Sequence, residues 1–192
     1  MTNNNSPFIK IHPAAEHKSI AWASGTSTEI FIYPADGDFK TRNFSFRIST
    51  ATVEAESSTF TFFEGITRHL MILKGNLILT HEGRYTKEMK PYDQDTFSGE
   101  WPTSSVGKVT DFNLMLKHGA TGSLNHQHLK AQAQIQHHSG AERTFVYVAA
   151  GQLRFQDQLL ETGDLLAYDA TTLELKAEVN SDLIFIEVDL SE

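Results

Sequence analysis

Short segments in which apolar and polar residues alternate dominate this chain. Alternation with a period of two is typical of a β-strand with one buried face. Turn-forming sequences separate these segments, and no stretch of a dozen residues carries an apolar stripe with a helical period. The sequence therefore predicts an all-β fold with little helix, built from antiparallel sheets as a sandwich or barrel. The clearest segments are EIFIYP (29–34), NFSFRISTATV (43–53), TDFNLMLK (110–117) and LELKAEV (173–179).

An internal repeat divides the chain into two similar halves. GITRHLMILKG (65–75) returns as GAERTFVYVAAG (140–151), which sets Arg68 against Arg143. A hairpin and a turn ending in Asp follow each copy, and this alignment sets Asp95 against Asp164. Several landmarks in the same order indicate that one β-unit has been duplicated. We therefore predict two units, residues 1–117 and 118–192, with some strands shared between them.

Charge and composition exclude several classes of partner. The formal net charge is −8 and the pI about 5.6, so the chain lacks the basic face that a nucleic acid requires. The absence of cysteine excludes disulfides, thiolate metal ligands and a cysteine nucleophile. No run approaches eighteen apolar residues, and the N-terminus lacks a signal-peptide pattern. We expect a cytoplasmic protein that binds neither nucleic acid nor membrane.

The spacing in the first repeat resembles the metal-binding motif of cupin barrels. Laid on that motif, the ligand positions become Phe62, Glu64 and Arg68, and the closing glycine is Gly75. A phenylalanine and a guanidinium cannot supply the imidazoles that zinc, iron or manganese needs. The second copy is also incomplete, because Gln136 holds its first His position. We therefore predict no metal and no cofactor.

A group of histidines in the second half is the remaining metal candidate. His126 and His128 form an H-x-H pair of the kind that binds metal from a strand, and His138 is close in sequence. Their surroundings are polar and contain Gly and Gln, which favours solvated histidines on a loop or edge strand. A secondary metal site at these three residues is the minority interpretation.

Three longer segments resemble the HutD/Ves family. The resemblance is strong over residues 8–117 and reaches the remainder only through the repeat pattern. It implies a bicupin of the RmlC-like cupin superfamily, with two antiparallel jelly-roll barrels in one chain. It also implies a protein that accompanies histidine-utilisation genes or a stress response and binds a small acid such as formylglutamate, without established catalytic activity. The segments are WASGTSTEIFIYP (22–34), FSFRISTATVEAESSTFTFFEGITRHLMILKG (44–75) and FSGEWPTSSVGKVTDFNLMLK (97–117).

Arg68 is the most informative side chain in these segments. If the cupin register holds, Arg68 points into the barrel, where a charge without a partner costs several kcal/mol. One alternative is an internal partner, for which the candidates are Glu64, Glu29 and Asp111. The other is a ligand carboxylate, which the planar guanidinium can bind through two hydrogen bonds. The sequence leaves both alternatives open.

Several other residues are candidates for contact with a ligand. The Asn113 amide suits a formyl or amide group, although a satisfied asparagine at a strand end is the equal alternative. Arg47 is either a cavity residue or a surface or salt-bridged residue. Trp101 either closes the mouth of a pocket or packs in the ordinary way. The candidate ligand-binding residues are therefore Arg68, Asn113, Glu64, Phe62, Trp101 and Arg47.

These features favour a binding protein over an enzyme. The sequence contains no nucleophile elbow, phosphate-binding loop or dinucleotide fingerprint. We expect a non-catalytic protein that binds a small carboxylate and has a regulatory or accessory role in histidine utilisation or stress response. A cupin-fold enzyme acting on a small acid or sugar is one alternative, and a structural or protein-interaction module is another. Exposed strand edges also allow a homodimer.

Overall fold

β-Strands form nearly all of the regular structure. The computed structural model describes residues 8–169 and 172–190, and within them the chain forms nineteen strands and one 3-10 helix, Ala14–Glu16. All strand pairs of these residues are antiparallel, so the predicted all-β fold with little helix is confirmed. The strands are β1 (Ile9–His12), β2 (Lys18–Trp22), β3 (Gly25–Tyr33), β4 (Phe46–Val53), β5 (Ser57–Thr59), β6 (Thr67–Gly75), β7 (Leu77–His81), β8 (Tyr85–Met89), β9 (Gln94–Ser98), β10 (Thr103–Val106), β11 (Val109–Leu116), β12 (Thr121–Leu129), β13 (Gln134–His138), β14 (Arg143–Ala150), β15 (Gln152–Phe155), β16 (Gln158–Glu161), β17 (Leu165–Tyr168), β18 (Thr172–Ala177) and β19 (Ser181–Asp189).

The strands are grouped in two units, each with two sheets. The N-terminal unit, residues 17–120, contains a six-stranded sheet in the order β2-β3-β4-β11-β6-β9 and a four-stranded sheet in the order β5-β10-β7-β8. The C-terminal unit, residues 8–16 and 121–190, contains a five-stranded sheet in the order β12-β19-β14-β17-β1 and a four-stranded sheet in the order β13-β18-β15-β16. The order β4-β11-β6-β9 thus returns as β12-β19-β14-β17. The second sheets also correspond strand by strand, as duplication of one β-unit requires.

The first strand lies in the C-terminal unit, as the sharing of strands between the predicted units allows. The prediction places it in residues 1–117, but β1 pairs with β17, with Ile9 opposite Tyr168. Ile9 and Ile11 pack against the core of the C-terminal unit. The local pattern of β1 predicts a strand, but it cannot identify a partner that lies so far away in the chain. The His-rich segment 118–142 supplies β12 and β13, which are both edge strands of their sheets.

The structural repeat corrects the register of the sequence alignment. Arg68 is the second residue of β6 and is buried, and its counterpart in β14 is the buried Thr144, because Arg143 is exposed. The offset between Arg68 and Thr144 is therefore the same as that between the two closing glycines. An alignment on residue identity pairs Arg68 with Arg143 and is wrong by one residue, because the arginine is the second residue of β6 but the first residue of β14.

The structure also corrects the alignment of the turns that follow the two hairpins. Asp164 accepts a hydrogen bond at Oδ2 from the backbone N–H of Glu161 at 2.8 Å. Asp93 accepts the equivalent bond from the N–H of Lys90 at 3.0 Å, so Asp93 rather than Asp95 is the counterpart of Asp164. Asp95 instead lies within β9 and is buried.

Each unit has its own apolar core. In the N-terminal unit one cluster includes Leu70, Ile72 and Leu79, and another includes Phe63 and Met115. These residues lie on strands or beside strands that the alternating pattern predicts. In the C-terminal unit, one cluster of buried side chains comes from β12 and from β14 to β19. Within residues 8–169 and 172–190, no helix has the length and apolarity needed to cross a membrane.

Gly75 closes β6 at a position where a side chain does not fit. Its φ is 82°, and an added Cβ would lie 2.3 Å from the backbone oxygen of Lys108. Gly83 has a similar φ of 70°, but a Cβ there would meet no atom within 4 Å. We expect Gly75→Ala to lower the free energy of unfolding by roughly 2 kcal/mol more than Gly83→Ala does, since both carry the left-handed backbone cost but only one has the clash.

Urea denaturation of the two variants measures this difference. Gly83→Ala is the matched control because it isolates the cost of the left-handed backbone. Equal losses of stability in the two variants would contradict the close approach of β6 to Lys108.

Candidate ligand-binding site

The N-terminal unit contains a cavity of about 550 Å³. Its polar wall comes from β3, β4, β6 and β11, and β2 and the segments 37–42 and 58–63 complete the lining. Trp22, Phe39, Phe60 and Phe63 supply its aromatic surface. Although the protein has a net charge of −8, five basic residues and three acidic residues line this cavity. The charged lining residues are Lys18, Lys40, Arg42, Arg47, Arg68, Glu29, Asp38 and Asp111.

Arg68 is one of two buried basic side chains in the cavity lining, and the sequence singles it out. It lies on β6 between β11 and β9, opposite Met115 and Phe97, and only 7% of it is exposed. Its Nη2 donates a hydrogen bond to Asn113 Oδ1 at 2.7 Å, and its guanidinium carbon lies 4.7 Å from the centre of the Phe60 ring. The Nε atom is buried and has no hydrogen-bond partner among the described residues. Arg68 therefore contacts a neutral amide and aromatic faces, and no carboxylate contacts it directly to compensate its charge.

Asn113 connects Arg68 to a buried acid. Its Nδ2 donates a hydrogen bond to Asp111 Oδ1 at 2.5 Å, and both side chains lie on β11 two residues apart, so they share one face of the strand. Among the described residues Asp111 forms no salt bridge with a basic group. Asp111 is thus an internal counter-charge for Arg68, as one of the sequence alternatives supposes, but it acts through the amide of Asn113.

Burial changes the acid–base properties of this group. Burial raises the pKa of Asp111 to about 7, although the charge of Arg68 and the hydrogen bond from Asn113 oppose the shift. Burial also lowers the pKa of Arg68 to about 10, where the negative charge of Asp111 opposes the shift and Arg47 adds to it. Near neutral pH, Asp111 is therefore balanced between its ionised and neutral forms, and any change in the charge near Arg68 will move that balance.

Arg47 lines the same cavity but already has an acidic partner. Its Nε donates to Glu29 Oε2 at 2.8 Å, and its Nη1 donates to Ser49 Oγ at 2.8 Å. Its guanidinium carbon lies 4.1 Å from the centre of the Phe39 ring. Burial lowers the pKa of Arg47, and the hydrogen bond and charge of Glu29 oppose this shift. Arg47 is therefore a salt-bridged residue within the cavity wall, which combines the two sequence alternatives.

The structure places Phe62 and Glu64 away from the cavity lining. Phe62 is 63% exposed, Glu64 is also exposed, and neither lines the cavity. The register taken from the cupin motif is wrong here, because residues 60–66 form no strand and do not alternate as a strand would. Phe60 and Phe63 line the cavity instead. The run FTFF (60–63) signals aromatic residues near Arg68, but it does not show which of them turn inward.

Trp101 also lies outside the cavity lining. It packs beside the core of the N-terminal unit, where the His81 and Trp101 ring centres are 5.3 Å apart. The guanidinium carbon of Arg84 lies 4.0 Å from the centre of its ring. Trp101 therefore has the ordinary packing role that the sequence offers as an alternative to closing a pocket.

The histidine candidates bond to neighbouring side chains. His126 Nε2 and His128 Nδ1 lie 2.9 and 3.0 Å from the same oxygen, Asp182 Oδ1. His138 Nδ1 lies 3.0 Å from Thr172 Oγ1. Within the two described ranges, no group of three or more His, Asp or Glu residues is placed to hold a metal ion. His126, His128 and His138 therefore do not belong to a group of that kind among the described residues.

Sequence reasoning missed a second buried polar group in the N-terminal unit. His81 is 1% exposed, and its ring nitrogens lie 2.8 Å from Thr103 Oγ1 and 3.0 Å from Asp95 Oδ2. Tyr85 donates to the same carboxylate at 3.0 Å, and Lys87 donates to its other oxygen at 3.1 Å. No sequence motif predicts this group, because its members come from four different strands.

Comparisons with known proteins identify the family. The family model HutD matches residues 14–185. A curated relative from Pseudomonas putida, described as an uncharacterized 21.2 kDa protein in the hutC 3' region, is 27% identical over 156 residues, which are 76% of this chain and 74% of the relative.

Solved structures share the fold. A conserved protein of unknown function from Pseudomonas aeruginosa matches with a TM-score of 0.81 and 22% identity, covering 95% of this chain and 99% of the other. HutD from Pseudomonas fluorescens, solved in a formate condition, matches with a TM-score of 0.75 and 22% identity over 96% of this chain and 100% of the other. The bacterial pirin YhhW from Escherichia coli, in complex with nickel(II), matches with a TM-score of 0.73 and 14% identity, covering 96% and 100%. The match of the family model to most of the chain shows that this protein belongs to the HutD family.

Proposed function

We propose that the cavity of the N-terminal unit binds a small ligand through a carboxylate group, and that Arg68 is the principal anion-binding residue. The observation that carries the proposal is a buried guanidinium that lines a cavity and has no salt bridge among the described residues. A buried charge needs compensation, and a carboxylate matches the planar fork of arginine better than any other common anion except phosphate.

The charge and size of the cavity support a small acid. Its lining contains more basic than acidic residues, which attracts an anion into a protein that is otherwise acidic. A volume of about 550 Å³ is in the range of small-molecule sites. The aromatic faces of Phe60 and Phe63 shield Arg68 from water and thereby strengthen its attraction for a bound anion.

The context of the relatives supports a role in histidine utilisation. The HutD structure from Pseudomonas fluorescens was solved in a formate condition, and formate is the smallest carboxylate. The curated relative lies in the hutC 3' region. We infer a regulatory or accessory protein that senses an acid of histidine breakdown, for which formylglutamate, the acid that the family resemblance implies, is the first candidate.

Calorimetric titration with paired carboxylates and neutral amides tests the proposal. We expect formate, acetate and formylglutamate to bind with a stoichiometry of one, and formamide and acetamide not to bind, because only the acids bring a negative charge to Arg68. A ligand present at 100 times its dissociation constant should raise the free energy of unfolding by about 2.7 kcal/mol. Equal binding of the acids and the amides, or no binding of any acid, would contradict the proposal.

A further inference from the structure

Asp111 and a bound carboxylate would compete for the same positive charge. Asp111 is almost fully buried and reaches Arg68 only through the amide of Asn113. Its one hydrogen bond among the described residues comes from that neutral amide. Glu29, another acid of the lining, has a direct bond from Arg47. Of these two acids, Asp111 is thus the one whose negative charge is no longer balanced when another anion binds Arg68.

We propose that a carboxylate ligand enters this cavity together with one proton, which Asp111 takes up. The inference rests on the proposed function of the cavity. The ligand carboxylate becomes the counter-ion of Arg68, and the carboxylate of Asp111 becomes a neutral carboxylic acid with a proton drawn from the solvent. The cavity therefore exchanges one internal anion for one bound anion, and its total charge does not change.

The physical reason is the cost of two carboxylates beside one buried guanidinium. Two like charges in a site of low dielectric repel strongly, and the pKa of one of them rises. The pKa of Asp111 is already raised to about 7 by burial while Arg68 is its nearest cation. A second anion at Arg68 adds repulsion, so the bound state favours the protonated acid even at pH 8. Paired acidic groups that share one proton in enzyme sites follow the same rule.

Other ionisable groups near Asp111 are less suited to take up this proton. Arg47 on β4 and Arg68 on β6 are the charged side chains that face it from the adjacent strands, and Glu29 on β3 bonds to Arg47. His69 neighbours Arg68 in β6 but bonds to Thr96 Oγ1 at 2.9 Å and does not line the cavity. The remaining charged groups of the lining, on β2 and on the segment after β3, are Lys18, Asp38, Lys40 and Arg42.

Calorimetry with formate in bis-Tris and in Tris, two cationic buffers that do not compete for the anion site, measures the proton uptake. The two buffers differ in ionisation enthalpy, so the difference in observed heat reports the number of protons bound. With the pKa of Asp111 raised to about 7, we expect little uptake at pH 6, where Asp111 is already largely protonated, and uptake approaching one proton at pH 8. Binding that consumes a proton weakens as that proton becomes scarce. The dissociation constant should therefore be flat below pH 6 and rise close to tenfold per pH unit above pH 8.

Two variants distinguish Asp111 from other groups that could take up the proton. Asp111→Asn keeps the shape of the side chain but cannot ionise, so we expect formate binding with no proton uptake and a dissociation constant that is independent of pH. Asp36→Asn is the matched control, because Asp36 is exposed and does not line the cavity, and it should retain the uptake. Infrared difference spectra give a measurement on the unmodified protein: formate at pH 8 should produce the carbonyl band of one carboxylic acid.

The outcomes distinguish this inference from the proposed function. Formate binding at pH 8 without proton uptake, or uptake that persists in Asp111→Asn, would overturn proton-coupled binding while leaving the carboxylate site in place. Failure of the unmodified protein to bind formate or any other acid would overturn the proposed function and the inference together.

Discussion

Arg68→Met is expected to weaken formate binding about 100-fold, which corresponds to about 2.7 kcal/mol. Methionine fills much of the space of arginine but removes both the charge and the planar fork. Arg68→Lys should recover part of the loss, because it restores the charge without the second hydrogen bond. We expect all of these proteins to fold, since Asp111 can remain neutral when its nearest cation is absent. Titration calorimetry measures the affinity, and circular dichroism checks the fold.

Arg143→Met is the matched control for this prediction. Arg143 stands where the sequence alignment expects the counterpart of Arg68, but it is exposed on β14 in the C-terminal unit. Its replacement should leave formate binding within about twofold of the unmodified protein. If Arg143→Met weakened binding as much as Arg68→Met, or if Arg68→Met bound formate normally, the ligand would not be in the proposed cavity.

His81→Ala is expected to lower the free energy of unfolding by about 3 kcal/mol. It removes a buried ring and takes one hydrogen bond from the buried carboxylate of Asp95. Burial by itself would raise the pKa of Asp95, but hydrogen bonds from His81, Lys87 and Tyr85 hold the pKa below its ordinary value of 3.8. The remaining donors, Lys87 and Tyr85, cannot fill the space of the ring. Urea denaturation at pH 7 measures the loss.

The pH dependence of this loss has a definite sign. A carboxyl group with a lowered pKa stabilises the folded protein above its ordinary pKa, and this contribution disappears as the pH falls through the lowered value. The part of the His81→Ala effect that comes from Asp95 should therefore be complete at pH 6 and should shrink below about pH 4, leaving the packing loss.

His128→Ala is the matched control for burial. His128 also contacts an aspartate, Asp182, at 3.0 Å, but half of its side chain is exposed to solvent. Exposed ion pairs contribute about 1 kcal/mol or less, so we expect a correspondingly small effect. Equal losses of stability in the two variants would contradict the prediction, because burial of the His81 group would then contribute nothing to the free energy of unfolding.

The β-strands and their grouping follow largely from the sequence. Period-two alternation of polar and apolar residues predicts the strands that contain Arg47 and Asn113, although both faces of these strands are largely buried in the structure. The repeat predicts two similar units, and the two units share the order of four strands in the larger sheet and of all four strands in the smaller sheet. What the repeat cannot supply is exact register, since Arg143 and Thr144 are adjacent and only burial shows that Thr144 is the counterpart of Arg68.

The candidate site is only partly predictable. Arg68, Asn113 and Arg47 line the cavity, as alternation along their strands permits. Phe62 and Glu64 do not, because they precede β6 in a segment without regular structure, where alternation gives no direction for a side chain. The pairing of Arg68 with Asn113 joins residues 45 positions apart, and the sequence offers Asp111, Glu29 and Glu64 as equal partners.

Local sequence is sufficient to determine that this chain forms alternating strands, repeats one β-unit and places a cation, Arg68, ahead of the apolar run of one strand. The backbone geometry of a strand is local, so neighbouring residues decide which side chains share a face. Which faces meet is a long-range property of strand pairing. Only the folded chain places Asn113 between Arg68 and Asp111, because β11 lies beside β6. The electrostatic environment of Arg68 therefore depends on both Asn113 and Asp111, which are joined to it by hydrogen bonds.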